Sequence, residues 1–245
     1  MRFRAVFIAA GVIVVLLNSA CRPESDAHRI LRRHYRAVGG ITRIRQSYPL
    51  YYEGRIDLVT RGQSGMIRVW QKNPDCQRSE VEFSDVRTIR VRTAEGSWSQ
   101  DYAGRIHIRN DSLTQLRNRL SSLTNRFEHL RPRSEIFHLG YLGVDTSDSS
   151  QAHHLRLVNR LNADTTDYFY RPTDYYLIRT IVKQDDRREY RYSDFRSIGG
   201  LIVPFQTVIR DPASGVTEMI TIETYQTAAT VADSLFDPPP LLDYR

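Results

Sequence analysis

The sequence predicts an α+β fold: a large curved antiparallel sheet, an unclosed β-barrel, with amphipathic helices covering its concave face. Three observations carry this expectation. Apolar residues recur at every second position in segment after segment, as in antiparallel strands with one covered face. Turn signals separate those segments at short, nearly regular intervals. Two stretches change to three–four spacing, the period of a helix with one apolar stripe. No composition shift or flexible linker divides the chain, so residues 21–245 read as a single domain.

The chain opens with Arg2 and Arg4, an apolar run from Ala5 to Leu17, and then Asn18-Ser19-Ala20-Cys21. A charged start, a short apolar stretch and small residues before a cysteine make a secretory signal, and the run falls below the ~20 residues that span a bilayer. The pattern resembles a bacterial lipoprotein signal. Residues 1–20 are therefore expected to be a signal peptide, with Cys21 the first mature residue and the lipid anchor. Asn18 stands where such signals usually carry Leu, Val or Ile, so cleavage near Ser19 or Ala20 without acylation stays open as an alternative.

Ala27, Ile30, Leu31, Tyr35 and Val38 then recur at helical spacing, and Gly39-Gly40 supplies a stop. The period becomes two at Ile56 and Leu58, Ile67 and Val69, Val81 and Phe83, Ile89 and Val91, and Ile106 and Ile108. Turns are expected at Arg61-Gly62, Asn73-Pro74-Asp75, Glu95-Gly96 and Ala103-Gly104. Leu113, Leu116, Leu120, Leu123 and Phe127 mark a second helix that Asn110, Asp111 or Ser112 can cap. Pro132 opens a crowded apolar segment, Ile136 to Leu142, ending near Gly143. Strand signals resume over 155–161, 168–171, 175–183, 188–195, 205–210 and 218–225, with turns at Asp185-Asp186 and Asp211-Pro212.

The formal net charge of +7 falls to +5 once Arg2 and Arg4 leave with the signal. Arg55, Arg61, Arg68, Arg87, Arg90 and Arg92 alternate with apolar residues and read as the solvated face of a sheet. No nucleic-acid partner is expected behind an export signal. With Cys21 acylated, Cys76 has no partner for an intrachain disulfide, and two distant cysteines make no four-ligand zinc site.

Little in the chain points to catalysis. The seven histidines are scattered, and His153 and His154, adjacent on a strand, point to opposite faces. Gly62-Gln63-Ser64-Gly65 lacks the spacing of a nucleophile elbow, and Glu80 and Glu82 stand among arginines that would pair them. No phosphate-cradling glycine loop or redox-cofactor motif occurs. No enzyme, cofactor or metal is expected. The surplus is apolar: Trp70, Phe83, Trp98, Leu116, Leu120, Leu123, Phe127, Phe137 and Tyr141 exceed the cover one sheet needs, and are expected to line a cavity for an apolar ligand. A dry, packed core is the other reading.

Several short patterns together resemble the bacterial outer-membrane lipoprotein-sorting proteins of LolA/LolB type and their lipid-binding relatives. They are Val38-Gly39-Gly40, Gly65 leading to Lys72-Asn73-Pro74 and Arg78, Glu95-Gly96-Ser97-Trp98, Asp194-Phe195-Arg196 with Gly199-Gly200-Leu201-Ile202-Val203-Pro204-Phe205, and Leu235-Phe236-Asp237-Pro238-Pro239. They run from about residue 27 to residue 240, nearly the whole mature chain. The resemblance implies an unclosed barrel whose helices form a lid over a hydrophobic cavity for acyl chains. It also implies that Arg78 contacts the lid helices, although Cys76-Gln77 and Ser79 stand where the carrier has aromatics.

The expected protein is then a membrane-anchored periplasmic lipoprotein of the cell envelope, at the outer membrane. It would be a monomer that binds lipid or acylated lipoproteins for transfer or reception. The alternative is a non-catalytic envelope scaffold that uses the same fold to bind protein.

Overall fold

Ser25 accepts a hydrogen bond from the His28 amide and starts helix α1, Asp26–Ala37, which buries Ala27, Ile30 and Leu31 along one face. The computed structural model describes residues 25–239 apart from 85, 148–150, 185 and 186. The signal segment, the anchor Cys21 and the turn at Asp185-Asp186 therefore lie outside the described residues. After α1 the chain turns through Gly39 at φ +114°. A Cβ there would lie 2.5 Å from the Gly200 carbonyl oxygen, so only glycine permits this approach. Thus Val38-Gly39-Gly40 packs against Gly199-Gly200-Leu201, and the Ile202 amide donates to the Val38 carbonyl at 3.1 Å.

A short helix α2, Ile41–Gln46, follows. The first run of strands is β1 (Leu50–Leu58), β2 (Gln63–Asn73), β3 (Cys76–Phe83), β4 (Val86–Arg92), β5 (Ser97–Gln100) and β6 (Ile106–Arg109). Helix α3, Ser112–Asn125, is capped by Asp111, which accepts from the Thr114 amide at 2.9 Å. The second run is β7 (Phe137–Asp145), β8 (Ala152–Asn159), β9 (Thr165–Tyr170), β10 (Leu177–Lys183), β11 (Arg187–Ile198), β12 (Leu201–Asp211) and β13 (Val216–Thr227). A 3-10 turn, Asp233–Phe236, comes last.

All strands join one antiparallel sheet in the order β6-β5-β4-β3-β2-β1-β13-β12-β11-β10-β9-β8-β7. The two meanders meet where β1 pairs with β13, and β6 and β7 are the unjoined edges, so the barrel is not closed. These edges are consecutive in the chain, linked through α3. Helix α3, 14 residues and about 21 Å long, lies within that link.

The structure corrects one sequence expectation and adds two elements that the sequence did not signal. The apolar segment after Pro132 is the edge strand β7, not a connector, and its crowding comes from a bulge between Tyr141 and Gly143. Ser97–Gln100 forms β5, too short to display a period. Helix α2, with two arginines in six residues, showed no apolar stripe.

Candidate functional site

Register assigns side chains to the two faces. Phe137 and Leu139 of β7, Leu155 and Leu157 of β8 and Tyr170 of β9 face inward and form one core with Ala27, Ile30 and Leu31 of α1 and Leu120 of α3. Leu116, Leu123 and Tyr141 are half-buried against that core. Phe127 meets Tyr35 edge-on with ring centres 5.0 Å apart, and the Arg45 guanidinium lies over it. The helix-covered half of the interior is thus packed, leaving a recess of about 270 Å³ bordered by Leu120, Phe137, Asn159 and Asp164.

The other half is open. Ile56, Ile67, Val81, Phe83, Ile209 and Ile220 line an apolar recess of about 480 Å³. A second, of about 390 Å³, opens between α1, α2 and β10–β13, bordered by Val38, Ile44, Tyr48, Leu177, Phe195, Leu201 and Pro204. A cavity of about 780 Å³ is mostly polar: Gln77, Ser79, Arg90, Arg92, Ser97, Ser99, His107 and Arg109 come from β3–β6, Asn118 from α3 and Arg188 from β11, and Val91 and Trp98 also border it. That β4 and β11 border one cavity, although far apart in strand order, shows how strongly the sheet curls.

The expected lining residues are therefore divided. Leu116, Leu120, Leu123, Phe137 and Tyr141 gather under the helices, and Phe83 borders the open apolar recess. Trp98 is buried with Ile89 and Val91, and Trp70 beside them, beneath Leu235 and Phe236. Register puts this group on the outer face, where the Trp98 indole donates to the Phe236 carbonyl at 2.8 Å. Two motifs of the resemblance thus explain each other: Trp98 is the platform on which the terminal Phe236 segment docks.

Arg78 lies in the same outer cluster. It donates to Glu80 at 2.7 and 2.5 Å and to the Leu235 carbonyl at 2.6 Å, and its guanidinium lies over the Trp98 ring. Glu80 also faces Arg87 at 3.6 Å and Glu82 faces Arg68 at 3.3 Å, so arginines neutralise both carboxylates. Helix α3 is fastened by other residues: Ser122 and Arg126 bond Asp75, the Asn125 amide donates to the Pro74 carbonyl at 3.3 Å, and Arg92 donates to Ser121. The turn Asn73-Pro74-Asp75 and Arg92 of β4 hold this part of the helix, and Arg117 of α3 lies 3.5 Å from Asp164.

Sequence reasoning missed the inward arginines. Arg90 and Arg92 alternate with Ile89 and Val91, and alternation alone does not tell which set faces the helices. Here the apolar pair faces outward under the terminal turn, and the cations face the cavity. The available signal was cross-strand: Gln77, Ser79, Ser97, Ser99, His107 and Arg109 repeat the polar phase on neighbouring strands.

No family model matches the chain, and no curated protein matches it. Solved structures do. A LolA superfamily protein from Nitrosomonas europaea aligns over 88% of this chain and 99% of its own, at TM-score 0.57 and 13% identity. The fold is that of lipoprotein-sorting proteins. A domain described as an outer membrane lipoprotein-sorting protein from Vibrio parahaemolyticus aligns over 86% and 96%, at TM-score 0.56 and 7% identity. A DUF1329 family protein from Desulfovibrio piger aligns over 87% and 98%, at TM-score 0.58 and 13% identity. At these identities the likeness concerns the fold alone.

Proposed function

We propose that the protein binds lipid, or the acyl chains of lipoproteins, on the inner face of its open barrel, for transfer or reception in the cell envelope. An acylated Cys21 holds it at the periplasmic face of the outer membrane. The observation that carries this reading is the apolar recess of about 480 Å³ on the inner face, within the ~300–1,000 Å³ range of ligand sites. Acyl chains cannot cross water uncovered, and each buried CH₂ contributes about 0.8 kcal/mol. The job needs no reaction, so the protein acts as a binder and not an enzyme. The sorting-protein fold and the export signal support the same reading.

Mild-detergent purification of the mature protein, followed by lipid extraction and mass spectrometry, tests it. A co-purifying lipid near one per chain is expected; a lipid-free protein that also takes up none when it is offered overturns the reading. The intact mass reports the anchor, since acylated Cys21 is heavier than a chain cleaved near Ser19 or Ala20.

One observation favours the scaffold alternative. Leu120 of α3 packs directly on Phe137 and Leu157, and Leu142 and Val144 stand exposed on the edge strand β7, where a partner strand could add. A lipid-free protein that captures an envelope protein through β7 would establish that reading instead.

A further inference from the structure

The cavity of about 780 Å³ on the inner face is cationic. Arg90, Arg92, Arg109 and Arg188 border it, and no Asp or Glu does among the described residues. Arg188 lies 3.6 Å from Asp211, and His107 bonds Asp101 at 2.9 Å. Arg92 is held by neutral groups, Ser121 and the Gln77 side-chain oxygen. Arg90 and Arg109 make no ion pair among the described residues. The side-chain nitrogen of Asn118, on the helix above, is buried without a hydrogen-bond partner. Like charges gathered around one void repel, and a spare donor is unsatisfied; an anion relieves both. Guanidinium forks match the oxygens of phosphate.

The cationic cavity is also continuous with the apolar one. Ser79 and Arg90 border both it and the recess of about 480 Å³ lined by Ile56, Ile67 and Phe83. Arg61 and Glu218 also border that recess, and Glu218 shares a smaller pocket with Arg90, Arg188 and Asp211. A free phosphate would leave the apolar recess wet, and a neutral lipid would leave Arg90 and Arg109 without a counter-charge.

We infer that the ligand is an anionic lipid, with its phosphate between Arg90 and Arg109 and its acyl chain in the neighbouring apolar recess. This deepens the lipid-binding reading above and rests on it.

Calorimetric titration of the mature protein with lysophosphatidylglycerol and with lysophosphatidylcholine of the same chain, both below micelle formation, tests it, with inorganic phosphate as a third arm. The anionic lipid should bind about tenfold tighter or more, the worth of one hydrogen bond to a charged group, and the ratio should shrink with salt. In a variant carrying Arg90→Gln and Arg109→Gln the ratio should fall to near one, while Arg90→Lys with Arg109→Lys should retain most of it. Equal binding of the two lipids by the unaltered protein overturns the inference and leaves the lipid-binding reading standing. A preference that survives the double glutamine variant, or inorganic phosphate binding as tightly as the anionic lipid, also overturns it. Binding of neither lipid overturns the broader reading as well.

Discussion

His34 and His129 lie on either side of Tyr35, whose hydroxyl is 3.1 Å from the His129 ring, beneath the sheet-facing side of α1. Burial pushes both imidazoles down to about 4, because there is little water to solvate the charged form. The folded state therefore keeps them neutral where the unfolded chain, with an ordinary value near 6.5, takes up protons. Stability is fully present above about pH 6.5 and is lost as pH falls toward 4, at about 1.4 kcal/mol per pH unit for each histidine. Urea unfolding at pH 7.5, 5.5 and 4.5 should show that decline, and replacing His129 with Leu should flatten it; a pH-independent midpoint would refute the assignment. Asp167 acts lower on the scale. Burial would raise its carboxyl, but Arg156, Lys183 and His154 outweigh that and hold it near 2. Its contribution is present above about pH 3.9 and lost toward pH 2.

At the scale of elements, α3 is the piece whose attachment decides access to the interior. Its leucines pack on β7 and β8, and its other attachments include Arg92 on Ser121 and the turn where Asp75 receives Ser122 and Arg126. Asp75→Ala leaves the buried Ser122 hydroxyl without its acceptor, and should cost about 1–3 kcal/mol. It should also raise hydrogen exchange in α3 more than in β12 and β13; unchanged α3 protection would show that the other contacts alone hold the helix. Both long helices were legible because their stripes are local, and Asp111, one of the three caps the sequence offers, starts the second. What holds α3 was not legible. Asp75 lies 47 residues from Ser122, and no local pattern announces such a bond. The role expected of Arg78 has its nearest structural counterpart in Asp75 and Arg92, while Arg78 itself secures the terminal turn.

For the whole molecule, period-two alternation yields strands and turns but not which face is covered by what. In β7–β9 the apolar phase lies under helices; in β4 and β5 it lies under Phe236 on the opposite side of the sheet. That change of cover, made in part by residues more than a hundred positions apart such as Trp98 and Phe236, makes one half of the interior dry and the other open and partly cationic. A ligand should therefore act on one half alone. Hydrogen exchange with and without lysophosphatidylglycerol should show added protection in β3–β6, whose short edge strands end the sheet beside the cationic cavity. It should show little change in β7–β9, already packed under α1 and α3. The opposite pattern, with protection gained in β7–β9, would mean that ligand opens the packed core between α3 and the sheet. The leucines of α3 with Phe137 and Tyr141 would then line the site, and the recess beside Phe83 would be a bystander.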